Sequence, residues 1–146
     1  MKIESGAFKN GERIPTQYTC DGVDINPPLS ISDVPTGAKS LALIMDDPDA
    51  SRGGTWDHWL IWNIPPDTRE IKEGITPPGA ITGSNSWPKT SYGGPCPPAE
   101  HRYFFRLYAL DTLLDLPAGS AKDSLLKAVE GHILAQAELM GKYSRK

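Results

Sequence analysis

The sequence predicts a mainly β, single-domain protein, a sandwich whose helical content is confined to the C-terminal end. Three observations carry that reading. Fourteen prolines and fourteen glycines punctuate the 146 residues too often for long helices. The runs between them are short, rich in β-branched or aromatic residues and bounded by turn formers. Only after Pro117-Ala118-Gly119 does the pattern change to one of helical spacing.

Taken in order, weak strands are expected around Ile3 to Phe8 and Leu29 to Ser32, and a strong one at Leu41-Ala42-Leu43-Ile44-Met45. A second strong strand, Trp59 to Ile64, is also apolar at nearly every position, which implies cover on both faces. A weak strand around Ile81 to Asn85 and a strong one at Tyr103 to Leu110 complete the sheets, with Pro77-Pro78-Gly79 as a turn. Ser120 is placed to cap a helix, with Asp123 three residues on. Leu125, Val129 and Ile133 then share one face, flanked by Leu126, Leu134, Ala137 and Met140, so a helical hairpin or bent helix is expected to pack on the sandwich. Gly131 is the expected break between two shorter helices.

Length and composition bound the function. At 38% hydrophobic and 23% charged, the chain can bury one sizeable core. A net charge of −3 and a pI near 5.6 argue against nucleic acid as a partner. No stretch approaches the roughly 20 apolar residues that span a bilayer, and Met1 to Ser5 lacks the apolar run of a signal peptide, so the expected compartment is the cytoplasm. Lys142 to Lys146 reads as a basic, solvated tail. Cys20 and Cys96 form no C-x-x-C pair, which argues against zinc or thioredoxin chemistry. They are either buried thiols, the expectation in an ordinary cytosol, or one bridge, which gains weight if the source is a hyperthermophile.

The chemistry gathers in three segments: Asp47-Pro48-Asp49-Ala50, Thr55-Trp56-Asp57-His58-Trp59, and Gly93-Gly94-Pro95-Cys96-Pro97-Pro98 followed by His101-Arg102-Tyr103. Each segment abuts a strand-like run, which suits a pocket at the end of a sheet. Pro48 fixes the backbone between two aspartates, and Asp47 is the better candidate to turn inward. The alternative is that Asp46, Asp47 and Asp49 only cap backbone amides. Trp56 lies two residues before His58, on the same face of an extended chain, and gives that imidazole a dry wall. Either histidine, read alone, is better explained as a core residue with a satisfied hydrogen bond than as a ligand group. Arg102 points away and pairs at the surface.

Together these segments resemble the phosphatidylethanolamine-binding protein family, also called the Raf kinase inhibitor protein family. The resemblance extends over nearly the whole chain. It is strongest to the bacterial and archaeal branch, on Tyr18-Thr19-Cys20-Asp21-Gly22, Gly94-Pro95-Cys96-Pro97-Pro98, Gly131-His132 and Gly141-Lys142-Tyr143. It implies a sandwich of two antiparallel sheets, of Greek-key type, with C-terminal helices. It also implies a small pocket for phosphate or a phosphoethanolamine-type head group. By that resemblance the ligand-binding residues are Asp47, His58, Pro95 and His101, with Trp56 against the wall and Pro48, Asp49 and Gly94 shaping the rim. No catalytic residue, metal or cofactor is implied.

An ionised Asp47 in an anion site has three resolutions: it is protonated, it orients a histidine through that ring's other nitrogen, or it accepts from an ammonium on the ligand. Orientation of a histidine is the favoured one. The chain departs from the family pattern at Ser51, where a proline is usual, and at Gly53, where many eukaryotic members carry tyrosine. The stretch Pro97 to His101 is shorter than in many bacterial relatives, Glu100 adds negative charge beside the mouth, and Tyr143 is expected beyond the helical segment, away from the pocket.

The leading functional expectation is a non-enzymatic binding module for a small anionic ligand, with a kinase or serine protease as a protein target by resemblance. Such a target would be met at the loops Ser51 to Thr55 and Ser86 to Tyr92. A hydrolase or metal-dependent enzyme using Asp47, His58 and His101 as an acid/base or metal-ligand set is the alternative. A homodimer through Trp59, Trp62 and the C-terminal helical face is a third, against which stands an ordinary core.

Overall fold

The computed structural model describes residues 1–50 and 54–145. The expectations attached to Ser51, Gly53 and Lys146 lie outside the described residues. Strands β3 (Ser40–Asp47), β4 (Trp56–Ile64) and β7 (His101–Leu110) form the centre of a five-stranded antiparallel sheet. Its edges are β6 (Ile81–Thr82) and β8 (Ile133–Tyr143), in the order β6-β4-β3-β7-β8. A second antiparallel sheet joins β1 (Lys2–Glu4), β2 (Leu29–Ser32) and β5 (Glu70–Ile71), in the order β1-β2-β5.

The unbroken apolar runs of β3 and β4 have a direct cause, because the large sheet is covered on both faces. Leu41, Leu43 and Met45 on β3, with Trp59 and Ile61 on β4, pack against Ile3, Leu29, Ile31 and Ile71 of the small sheet. The alternate residues Ala42, Ile44, Leu60 and Trp62 pack on the opposite side against Leu110, Leu114, Leu125 and Val129. Trp59 and Trp62 are buried in these two cores and offer nothing to a second copy. Period-two alternation thus sorts one strand into two hydrophobic layers.

The C-terminal helical hairpin is overturned. One α-helix, α1 (Lys122–Val129), is followed by the eleven-residue strand β8, which pairs with β7 from His101↔Tyr143 to Leu110↔Ile133. Leu125 and Val129 face the core as expected, whereas Ile133 and Leu134 are exposed. Ala, Leu, Gln, Glu and Met are strong helix formers, and their presence in residues 133–140 obscures a second period. Ala135, Ala137, Leu139 and Tyr143 pack inward on the core, while Gln136, Glu138 and Lys142 alternate with them. Gly131, at φ +82°, does end the helix, since its left-handed backbone turns the chain into a strand. Ala121, not Ser120, occupies the N-cap, without a side-chain cap; Ser120 Oγ donates instead to the Pro117 carbonyl at 2.7 Å.

The basic end is likewise not a loose tail. Lys142 and Tyr143 belong to β8, Lys142 exchanges backbone bonds with Glu12 and Ile14, and Tyr143 is 2% exposed. Among the described residues, no helix is long and apolar enough to cross a membrane.

Candidate anion-binding cleft

Antiparallel pairing sends the end of β3 and the starts of β4 and β7 to the same end of the large sheet. Asp47 pairs with Trp56 and Asp46 with Phe104, so Asp47, His58 and His101 converge there. They line a cleft of about 430 Å³ together with Trp56, Trp87 and Tyr103. Ala50, Cys96, Pro97 and Pro98 complete its wall.

Asp47, only 3% exposed, uses both oxygens. Oδ1 accepts from the backbone N–H of Asp49 at 2.8 Å, closing the turn around Pro48. Oδ2 accepts from His101 Nδ1–H at 2.7 Å. Capping and histidine contact are therefore combined in one carboxylate. His58 donates Nδ1–H to the Gly93 carbonyl at 2.7 Å. Its burial pushes the imidazole pKa below the ordinary 6.5, against the opposing pull of the Gly93 carbonyl and the Asp47 charge. A neutral His58 with Nδ1 protonated presents Nε2 as an acceptor.

The rings around His58 are equally ordered. Trp87 and Tyr103 meet it edge-on at 5.1 and 5.2 Å, and Trp56 meets Trp87 edge-on at 5.5 Å. Asn85 holds Trp87 in place by accepting its backbone N–H at 3.0 Å and that of Lys89 at 2.8 Å. A Cβ on Gly93 would stand 2.4 Å from the Trp87 ring, so the approach of this loop to the aromatic wall requires glycine. Burial raises the Tyr103 hydroxyl pKa, first through desolvation and then through the Asp47 charge, which keeps it a neutral hydrogen-bonding group.

Of the eight residues singled out in the sequence, Asp47, Trp56, His58 and His101 line the cleft, while Pro48, Asp49, Gly94 and Pro95 lie outside its lining and build its frame. Asp49 takes a two-pronged bond from Arg102, Nε to Oδ2 and Nη2 to Oδ1, both 2.9 Å, and accepts the Arg102 backbone N–H. The side-chain bond from Arg102 is the main reason its carboxyl is held down to about 2. Gly94 donates its N–H to Asp24 Oδ1 at 2.8 Å, and the Pro95 carbonyl accepts from Cys20 N at 3.1 Å. Cys20 and Cys96 form a disulfide, which decides between the two alternatives for these thiols and fastens the Pro97-Pro98 wall to the N-terminal segment.

Sequence reasoning missed Trp87 and Tyr103 as lining residues. Tyr103 was legible, since it lies two residues beyond His101 on an extended strand and so shares its face. Trp87 carries no periodic signal, because it sits in the loop between β6 and β7. Among the described residues, no three His, Cys, Asp or Glu side chains are grouped as a metal set.

The sequence profile described as phosphatidylethanolamine-binding protein matches residues 4–144. The chain belongs to the phosphatidylethanolamine-binding protein family. Family relatives include a UPF0098 protein of Methanothermobacter thermautotrophicus, 52% identical over 99% of both chains. A UPF0098 protein of Chlamydia muridarum is 48% identical, again over 99% of each. Among solved structures, a phosphatidylethanolamine-binding protein homologue from Chlamydia trachomatis superposes with a TM-score of 0.95 at 46% identity, covering 99% of this chain and 97% of that one. Escherichia coli YbcL, described as a new member of the mammalian family, superposes with a TM-score of 0.92 at 30% identity, over 99% of this chain and 98% of that one. The bacterial and archaeal character of the resemblance is thus shared by the relatives of the phosphatidylethanolamine-binding protein family to which this chain aligns.

Proposed function

We propose that the cleft binds a phosphate monoester, of which phosphoethanolamine is the type, and that the protein acts as a non-enzymatic binding module. The observation that carries this reading is that both imidazoles are anchored through Nδ1, one on Asp47 and one on Gly93. Each is left with Nε2 as its free nitrogen in the cleft lining. His101, with a carboxylate behind it, is suited to be an imidazolium that donates Nε2–H to a phosphate oxygen. His58, neutral, accepts from the hydroxyl of a singly protonated phosphate. Asp47 then compensates the imidazolium, which removes the paradox of a carboxylate in an anion site. The faces of Trp56 and Trp87, 37% and 40% exposed, suit an ammonium group tethered to the phosphate.

The same three polar residues support the hydrolase alternative, and one experiment separates the readings. Phosphoethanolamine and inorganic phosphate are titrated calorimetrically into wild type and His101→Ala, with ³¹P spectra followed for days. Saturable binding in wild type, lost in His101→Ala and with the ester intact, supports a binding module. Released phosphate moves the assignment to an enzyme, and no binding of either ligand rejects the phosphate reading. Inhibition of a kinase or serine protease remains a separate proposal, tested by a panel of each with and without bound phosphate.

A further inference from the structure

Cys96, Pro97 and Pro98 form a ridge with a cleft on each side. One side is the histidine cleft; the other is a second cleft of about 690 Å³ whose opposite wall carries Arg13, Thr16, Asp21, Tyr143 and Arg145. This second wall is built around Tyr143, which donates its hydroxyl to Asp21 Oδ2 at 2.6 Å. Asp21 Oδ1 is taken by Arg145, from Nε at 3.1 Å and Nη2 at 2.9 Å. Asp21 is thereby engaged through both oxygens.

Arg13 makes no such direct bond to a carboxylate, although its charge is among those that lower the Asp21 pKa. Its guanidinium lies 4.6 Å over the Tyr143 ring, donates one N–H to the Ser144 carbonyl at 3.1 Å and makes a long 3.5 Å contact with the Thr16 hydroxyl. Among the described residues it forms no ion pair. A guanidinium carries five N–H donors in a planar fork, so those left over are presented by a side chain whose position is already set. Among the described residues lining this wall, two arginines against one aspartate give a net positive charge. That contrasts with a chain whose net charge is −3.

We propose that Arg13, assisted by Arg145, is a second anion subsite, and that the natural ligand carries two anionic groups. One is the phosphate in the histidine cleft; the other, a phosphate or carboxylate, reaches over the Cys96–Pro98 ridge to Arg13. The proposal rests on the phosphate reading of the histidine cleft. It assigns to the ligand a requirement that the histidine cleft alone does not impose, a second charge at a defined spacing.

The test is calorimetry with two ladders of synthetic ligands, α,ω-alkanediol bisphosphates and ω-carboxyalkyl phosphates, each compared with the ω-hydroxyalkyl phosphate of equal length. Wild type, Arg13→Gln and Arg13→Lys are measured, with thermal unfolding to establish that each variant is folded. A charged contact at this exposed site should tighten binding by roughly two- to fivefold at the matching length. The gain should vanish in Arg13→Gln, shrink in Arg13→Lys, and leave monophosphate affinity unchanged in both; which ladder shows it identifies the second group. Equal affinity at every length, or a gain that survives Arg13→Gln, overturns the subsite and leaves Arg13 as a clamp on Tyr143. If monophosphates do not bind wild type, the histidine-cleft reading fails instead. The subsite is then judged alone, by the Arg13 Nε–H resonance during phosphate titration of His101→Ala: a saturable shift supports it, and none overturns it.

Discussion

Asp47 illustrates how one side chain links the backbone to the chemistry of the cleft. Its two oxygens close the turn onto Asp49 N–H and hold His101 Nδ1–H. An Asn at this position can keep only one of these acceptor roles with its single carbonyl oxygen. Asp47→Asn is therefore expected to weaken phosphoethanolamine binding about tenfold or more, because either the turn or the His101 ring loses its acceptor; calorimetry on the wild type and the variant checks it. His58 sets a second pH dependence. Its folded pKa lies below the unfolded value of 6.5, so the unfolded chain takes up the proton first. Stability is complete above about pH 6.5 and falls as pH drops through that value toward the depressed folded pKa. His58→Phe should flatten that slope in urea titrations. Asp49 acts in a lower window, between its ordinary 3.8 and about 2, where loss of the Arg102 bond removes stability as acid is added. The neighbouring glycines differ in kind. A Cβ on Gly94 would meet the Tyr18 carbonyl and Asp24 at 2.4 Å, backbone included, whereas one on Gly93 meets only the Trp87 ring. Gly94→Ala should cost roughly 1–3 kcal/mol, while Gly93→Ala should mainly displace Trp87 and weaken binding; thermal melts and ligand titrations distinguish the two.

At the scale of elements, β8 is where local preference and tertiary context disagree. Residues 133–140 have helix-forming composition, yet ten of the strand's residues pair with β7. The pairing sets a sharp expectation. Met140 and Lys142 direct their N–H groups away from β7, toward Asn10 and Glu12, so by alternation Gln136 does the same and Ala137 donates into the ladder. Ala137→Pro should cost on the order of 3 kcal/mol, and Gln136→Pro clearly less, since proline is tolerated where an edge strand's N–H faces outward. Denaturant midpoints that fell equally for both would contradict the strand. The strong strands, by contrast, were legible because burial on both faces leaves apolar residues at almost every position. The two-residue strands β5 and β6 are set by their partners, Leu29 and Ser30 for β5, Ile61 and Trp62 for β6.

At the scale of the whole molecule, the Cys20–Cys96 bridge closes a loop of 76 residues and joins the N-terminal segment to the ridge between the two clefts. Chain-entropy arithmetic for a loop of that length gives roughly 4 kcal/mol as the stabilisation. Reduction, or Cys20→Ser with Cys96→Ser, should lower the unfolding midpoint and weaken phosphate binding together, because the Pro97-Pro98 wall loses its tether. A lowered midpoint with unchanged affinity would show that the bonds of Gly94 to Asp24 and of Pro95 to Cys20 hold the wall without the bridge. Composition, periodicity and turn chemistry by themselves determined the β class and the three long central strands, because burial and strand alternation are local properties of the chain; the polar residues of the cleft were legible only through the family resemblance of three separate motifs. Three things were decided only in three dimensions: the strand identity of residues 133–143, the pairing of the two cysteines, and the arrival of Trp87, Tyr143 and Arg13 beside segments far away in sequence. Their physical reason is the same, since each depends on partners supplied by antiparallel pairing and cross-linking over tens of residues, which no local pattern records.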